Sequence, residues 1–300
     1  MRALLLVNPA AGRRRAVQTG IRVAQRLREA GVHAELVESR TFEHGVELAE
    51  GAKTSDWDIV VAVGGDGTAH AVANGLCRSP KAARPAMGIV PCGRGNDFAA
   101  QLGIRDLETA CGAVLGGVRR AVDIGCTEAR FFLGVAGAGF DSQVARRAQR
   151  RVPVLSGTGV YVYSVLRTLA VFEPFQARIV YDSGEYEGPI TFAAVGNTSR
   201  YGGGMCIAPH ASMDDGLLDL CLVKEISRAT LLRMFPRVFS GAHIHHPQVF
   251  YTQTKSVAIE SSVPAELFAD GEFLQRVPVR IDVAHRALTV ATPPGRRGKR

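Results

Sequence analysis

The chain has 300 residues, 46% hydrophobic and 21% charged, a balance that excludes a disordered or fibrous protein and leaves room for two domains with sizeable cores. Its six cysteines form no Cys-x-x-Cys pair and no histidine stands at zinc-finger spacing, which excludes a disulfide framework and a zinc finger; buried free thiols in a reducing cytosol are the expectation. The formal charge of +8 gathers in Arg13-Arg14-Arg15, in Arg146, Arg147, Arg150 and Arg151, and in Arg296, Arg297, Lys299 and Arg300. Such clusters are ordinarily a solvated face; no zinc-finger or RNP-type aromatic motif accompanies them, and the 146 to 151 group is assigned to an anionic membrane surface rather than to nucleic acid.

The first 125 or so residues alternate apolar runs with amphipathic stretches, the pattern of a parallel α/β sheet. Ala3 to Val7 is the first expected strand, too short for the core of a signal peptide, and no apolar run is long enough to span a bilayer. After the loop Asn8-Pro9-Ala10-Ala11-Gly12, a helix is expected with Val17, Ile21, Ala24 and Leu27 on its apolar face and a stop at Gly31. There follow strand His33 to Val37, helix Val46 to Ala52, strand Ile59 to Val63, helix Ala69 to Leu76, strand Met87 to Val90, helix Leu107 to Leu115 and strand Ala121 to Ile124.

From about Gly125 the pattern changes to short alternating strands: Ala177 to Tyr181, Ile190 to Val195, Leu217 to Val223, Val257 to Glu260, Val279 to Val283 and Leu288 to Ala291. This half reads as an antiparallel β-sandwich with two helices, Gly157 to Ala170 and Ala229 to Phe239. The expected division is a nucleotide-binding α/β domain over 1–124, on which a tail from about 286 packs back, and a β-sandwich domain over 125–285, with a cleft between them.

The loop Gly64-Gly65-Asp66-Gly67-Thr68 stands between an apolar strand and a helix. Its glycines are expected to turn tightly with positive φ and to aim backbone N–H groups at an anion near the helix N-terminus. A second glycine-bearing loop, Pro91-Cys92-Gly93-Arg94-Gly95-Asn96-Asp97-Phe98, also follows a strand, and in a parallel sheet both loops lie at the carboxyl edge where ligands collect. Neither Gly-x-x-x-x-Gly-Lys-Ser/Thr nor Gly-x-Gly-x-x-Gly after a strand occurs, so the phosphate site is of another kind. From the residues alone, Asp97 reads equally as a helix cap, Asp123 as the end of a strand and Asp270-Gly271 as a hairpin turn.

Asn8-Pro9 with Gly12, the diglycine loop, Gly93 with Asn96-Asp97-Phe98, Val122-Asp123-Ile124-Gly125, Ala208-Pro209 with Asp214-Asp215-Gly216, and Asp270-Gly271-Glu272 follow one another in a familiar order. Together they resemble the bacterial soluble diacylglycerol kinase and related lipid kinase family (the diacylglycerol kinase catalytic domain) over nearly the whole chain. The diglycine loop by itself is shared with NAD kinases and is similar to that of phosphofructokinases.

The resemblance implies ATP over the first domain, with Asn8, Pro9, Gly64, Gly65, Gly67, Thr68, Gly93, Arg94 and Asn96 around its phosphates and ribose. It implies Asp66 facing the phosphates through Mg²⁺, Asp97 and Asp123 as acidic neighbours, and Glu272 as general base. A second, structural Mg²⁺ would be held by the Asp215 carboxylate with the carbonyls of Ser212 and Leu217, though a plain turn is the other reading of that segment. The partner implied is a lipid substrate at an anionic membrane surface, with no nucleic acid and with a homodimer left open. The location implied is the cytoplasm, transiently at the inner face of the cell membrane.

Arg94 departs from the family, which commonly has Thr or Ser there, and either clamps a phosphate or leaves a hydroxyl contact missing. His243, His245 and His246 lack a carboxylate partner and are not assigned to a metal; Tyr201-Gly202-Gly203-Gly204-Met205 reads as a loop needing positive φ. An NAD kinase-like nucleotide kinase and a lipid- or nucleotide-binding protein without turnover are the alternative readings.

Overall fold

The computed structural model describes residues 1–93, 95–140, 142–144, 164, 167–168 and 172–294, without the side chains of Arg13 and Arg14. Arg94, the arginines at 146, 147, 150 and 151, most of the helix expected from Gly157 to Ala170, and the basic residues at 296, 297, 299 and 300 lie outside the described residues. The chain divides into two compact units, Met1–Val122 with Arg286–Arg300, and Asp123–His285.

The first unit opens β1 (Arg2–Val7), α1 (Arg15–Glu29), β2 (His33–Glu38), α2 (Phe42–Gly51), β3 (Ile59–Gly64), α3 (Asp66–Arg78) and β4 (Ala86–Pro91). Then come the short α4 (Asp97–Gln101), α5 (Leu107–Gly116) and β5 (Val118–Cys126), which runs on into the second unit. β1 lies between β2 and β3, and β3 lies beside β4, all parallel. β3 is buried at every residue and β1 and β4 at all but one, as a sheet covered on both faces requires, whereas edge strand β2 alternates.

Helix α1 meets the sheet through Ala16, Gly20, Val23, Ala24 and Leu27; Ile21, expected on that face, is 48% exposed. The close approach explains the shift in the face: a side chain at Gly20 would begin 2.9 Å from Val7 Cγ2. Helices α2 and α3 cross just as closely, since a Cβ at Gly75 would strike the Val46 carbonyl. Thr41 and Asp106 cap α2 and α5, each accepting a backbone N–H three residues on.

Among the described residues, the strands of the second unit pair antiparallel. β6 (Phe131–Phe132) pairs with β5, followed by β7 (Val135–Gly139), β8 (Phe175–Tyr181), β9 (Gly184–Gly196), β10 (Leu218–Lys224) and the helix α6 (Arg228–Val238). β11 (Val249–Thr254), β12 (Ser256–Ser261), β13 (Glu266–Ala269), β14 (Glu272–Arg276) and β15 (Val279–Thr292) complete it. The sheet order is β14-β13-β7-β9-β8-β12-β15, with β10 and β11 continuing from β9.

Alternation splits its core in two. Leu218, Leu220 and Leu222 of β10 enter a cluster with Ile179, Val195, Val257 and Ile281, while Cys221 and Val223 face Phe192, Leu231 and Met234 under α6. The two strands expected at Val279 to Val283 and Leu288 to Ala291 are one element, β15, with Arg286 at φ 47° inside it. From Arg286 on, β15 belongs to the first unit, where Val290 pairs in parallel with Met87 of β4 and the Arg84 guanidinium donates at 2.5 Å to the Ala287 carbonyl. Among the described residues, no helix is long and apolar enough to cross a membrane.

Candidate active site

Three loops of the first unit, those after β1, β3 and β4, are fastened together by their backbones. Asn8 N–H donates to the Val63 carbonyl at 3.1 Å, and Cys92 N–H to the Gly64 carbonyl at 2.7 Å. Gly12, at φ 59°, sits so close to the Cys92 carbonyl that a Cβ would overlap it. A Cβ at Gly93 would lie 2.5 Å from the Gly65 Cα, and one at Gly64 would collide with the Thr68 side chain. Glycine is therefore required where chain meets chain.

This corrects one expectation. Gly64, Gly65 and Gly67 carry no positive φ; Gly65, the residue before α3, has φ −98° and ψ −166°, extended backbone that any residue adopts. Helix α3 also begins at Asp66 rather than Ala69, so Asp66, Gly67 and Thr68 form its first turn and bring the N–H groups of that turn to the carboxyl edge of the sheet. Thr68 is 7% exposed, and its Oγ1 is buried with no hydrogen-bond partner among the described residues.

Asp66 joins the loops. Its Oδ2 accepts the Asn96 N–H at 2.7 Å and its Oδ1 the Phe98 N–H at 3.3 Å. Asn96 in turn holds the Gly93 main chain with both ends of its amide, accepting from Gly93 N–H at 2.8 Å and donating to the Gly93 carbonyl at 3.0 Å. Asn96 adopts left-handed backbone, φ 55°, which asparagine tolerates better than most residues, and it occupies the cap position of α4; Asp97 is the first helical residue, not the cap. The carboxylates of Asp66 and Asp97 flank one point, the position a Cβ would take on Gly95, at 2.9 and 3.4 Å. Asn8 closes its own loop, its Oδ1 accepting from Ala10 N–H at 3.0 Å, with Pro9 between them. Arg94 lies outside the described residues.

Asp123, Ser212, Asp215, Leu217 and Glu272 all belong to the second unit. Asp123 does not end its strand; it lies within β5, is fully buried, and anchors the Ser212–Leu217 loop. Its Oδ2 accepts Gly216 N–H at 2.7 Å, its backbone N–H donates to Met213 at 2.7 Å, and its Oδ1 stands 2.8 Å from His285 Nδ1. Asp215 is exposed and accepts the Leu217 N–H at 3.0 Å and a long bond of 3.4 Å from Gln253. Ser212 donates its hydroxyl to Asp214 at 2.8 Å. Among the described residues, no three His, Cys, Asp or Glu side chains cluster to hold a metal.

Glu272, half-buried, opens β14 directly after a two-residue turn in which Asp270 and Gly271 have φ 52° and 84°. Both central residues being left-handed makes this the hairpin turn that matches strand twist. The Asp270 carboxylate accepts the N–H groups of Leu133 and Gly134 at 2.7 and 2.8 Å, which fixes the turn against the segment before β7. Asn197 secures the same segment from the other side, donating to the carbonyls of Leu133 and Asp123.

Sequence reading missed Asn197, His285 and the anchoring role of Asp270. Asn197 carried a readable signal, a polar residue ending the uninterrupted apolar run Ile190 to Gly196 save Thr191; His285 carried none. His243 is fully buried, its Nε2 3.2 Å from the Ile207 carbonyl and 3.6 Å from Cys221 Sγ, and burial holds its basicity below the ordinary histidine value.

Comparison with known proteins agrees with this geometry. Residues 2–127 match the diacylglycerol kinase catalytic domain, and residues 134–292 match the YegS C-terminal NAD kinase beta sandwich-like domain. A diacylglycerol kinase of Mycobacterium tuberculosis is 34% identical, covering 96% of this chain and 94% of its own. A diacylglycerol kinase of Bacillus subtilis (strain 168) is 30% identical, covering 97% and 96%. A crystal structure of a diacylglycerol kinase from Bacillus anthracis str. Sterne superposes with a TM-score of 0.74 at 24% identity, over 98% of this chain and 97% of that one. A parallel sheet with glycine-bearing loops at its carboxyl edge, an antiparallel sandwich-like second unit and these full-length relatives lead to one conclusion: the chain belongs to the diacylglycerol kinase family.

Proposed function

We propose that this kinase transfers the γ-phosphoryl group of ATP to the hydroxyl of diacylglycerol or a related lipid. The observation that carries the reading is the fastening of three glycine-bearing loops around the first turn of α3, which presents backbone N–H groups and the positive end of a helix to an anion. The names of the full-length relatives support the lipid acceptor.

In this reading the loops after β1, β3 and β4, with Asn8, Gly64, Gly65, Gly67, Gly93 and Asn96, cradle the phosphates. Asp66 holds the second and third loops in register through its bonds to Asn96 and Phe98. The carboxylates of Asp66 and Asp97, which both approach the side of Gly95, would supply hard oxygens to Mg²⁺ accompanying the nucleotide, and Asp215 with the carbonyls of Ser212 and Leu217 would supply oxygen donors to a second ion. When bound, Mg²⁺ supplies charge neutralisation for the triphosphate.

Glu272 takes the proton of the lipid hydroxyl as that oxygen forms its bond to the γ-phosphorus, and the electrons of the breaking bridge bond leave with ADP. The Asp270-Gly271 turn, pinned by Leu133 and Gly134, fixes where Glu272 stands. The setting proposed is the cytoplasmic face of the membrane.

The test is ATP-dependent phosphorylation of a lipid panel by the wild type and Glu272→Gln. Turnover should fall by about 100-fold or more in the variant, and unchanged turnover sinks the assigned base. The NAD kinase-like name of the sandwich model motivates a parallel assay of NAD phosphorylation without lipid, in which product would replace the lipid reading.

A further inference from the structure

Residues 226–259 contain no Asp or Glu, yet include Arg228, Arg233, Arg237 and Lys255. Helix α6 occupies the first part of this stretch. It turns Leu231, Met234 and Val238 into the core and leaves Arg228, Leu232, Arg233, Pro236 and Arg237 exposed.

Two large apolar side chains stand on that outer arc: Leu232 is 49% exposed, and Phe239, just past the helix end, is 40% exposed. At 100° per residue, Leu232 and Phe239 fall close together on the arc, with Arg228 beside them and Arg233 and Arg237 on the opposite flank. Phe239 is steadied edge-on by Phe235, ring centroids 5.8 Å apart, and Arg200, itself exposed, donates at 3.3 Å to the Phe239 carbonyl. Neither Arg233 nor Arg237 has an ion-pair partner among the described residues. An exposed Leu–Phe pair thus lies on a helix without a carboxylate, flanked by Arg233 and Arg237 on one side and on the other by Arg228, which donates at 3.4 Å to the Phe172 carbonyl in a cavity shared with Glu173 and Glu225.

We propose that the outer face of α6 docks on an anionic lipid bilayer, with Leu232 and Phe239 entering the headgroup boundary and Arg228, Arg233 and Arg237 pairing with lipid phosphates. The exposed apolar pair favours a lipid surface over nucleic acid, since a phosphate backbone gives leucine and phenylalanine nothing to enter. The choice of occupant rests on the lipid kinase reading above, but the docking itself involves none of the residues placed around ATP or the acceptor.

The test is co-sedimentation with vesicles of phosphatidylcholine, with and without phosphatidylglycerol. The proteins compared are the wild type, Arg233→Gln/Arg237→Gln and Leu232→Ser/Phe239→Ser. The wild type should prefer anionic vesicles, and the double arginine variant should lose about 30-fold in binding to them. Its ATP binding and its turnover on a dispersed short-chain acceptor should match the wild type, as a folding control. The Leu232→Ser/Phe239→Ser variant should weaken binding while keeping its dependence on anionic lipid. Wild-type binding that ignores vesicle charge, variants that bind like the wild type, or a DNA duplex that displaces the wild type from vesicles and itself depends on Arg233 and Arg237 would each overturn the proposal. Vesicle binding lost in the variants, together with no phosphorylated lipid from any acceptor, sinks the catalytic reading and leaves the surface standing.

Discussion

The side-chain amide of Asn197 donates to the backbone carbonyl of Asp123 at 2.9 Å, and neither residue is exposed to solvent. The second amide hydrogen goes to the Leu133 carbonyl at 2.7 Å, and two carbonyl partners settle which end of the amide is nitrogen. One side chain therefore ties β5, with the loop it anchors, to the segment that Asp270 grips. Asn197→Ala strands two buried acceptors and should cost about 2 to 4 kcal/mol, read from urea unfolding. Asn197→Asp, which offers only acceptors to acceptors, should be no better. A loss below about 1 kcal/mol would mean that water or a shifted backbone replaces the amide.

Asp270 separates positioning from chemistry. Asp270→Ala keeps the Glu272 carboxylate in the chain but releases the Leu133 and Gly134 N–H groups that pin the turn and so lets the base shift. Turnover on lipid should drop by about 100-fold, because small misplacements of a base are costly, while the KM for ATP stays near the wild-type value. A rise in the KM for ATP with unchanged kcat would show that Asp270 serves the nucleotide instead.

Glycines in this chain are not interchangeable. Gly93→Ala forces a methyl group to within 2.5 Å of the Gly65 Cα, so the second loop must retreat; ATP binding measured by calorimetry should weaken at least tenfold. Gly112, inside α5, has open space where a Cβ would go. Gly112→Ala should therefore raise stability by about 0.5 to 1 kcal/mol and leave ATP binding untouched, which makes it the matched control.

Much of this was legible because periodicity and glycine placement are local. β1, β3 and β4 read as unbroken apolar runs because both of their faces are covered, and these three expected strands fall within a residue of those found. What failed was long-range. The face of α1 shifted away from Ile21 because Gly20 lets the helix settle onto Val7, a contact no helical wheel contains. The glycines at 64 and 65 stand where the chain comes close to Thr68 and Gly93, and not at the positive φ that a tight turn suggests. Asp66 read as a neighbour of phosphate, but its bonds to Asn96 and Phe98 span a sequence separation of about thirty residues and belong to the tertiary fold. His285 meets Asp123 across more than half the chain, and neither composition nor spacing announces such a pair.

Asp219 supplies a pH prediction independent of catalysis. It is 1% exposed, its Oδ1 accepts the Tyr251 hydroxyl at 2.5 Å, and its Oδ2 is buried with no hydrogen-bond partner among the described residues. Burial pushes its carboxyl above the ordinary carboxylate range; the bonds from Tyr251 and Gln253 pull the other way without cancelling it. Burial also raises the Tyr251 hydroxyl, so tyrosine remains the donor. The folded chain thus binds the Asp219 proton more tightly than the unfolded chain does. Its contribution to stability is greatest below the ordinary aspartate pKa of about 3.9 and declines as pH climbs through the raised folded value. Asp219→Asn keeps an acceptor for Tyr251 and removes the ionisation. Relative to wild type, its thermal midpoint should therefore improve as pH rises above about 4 and level off once the folded carboxyl ionises. A difference between the two proteins that stays constant across that range would show that Asp219 ionises in the folded chain as readily as in the unfolded one.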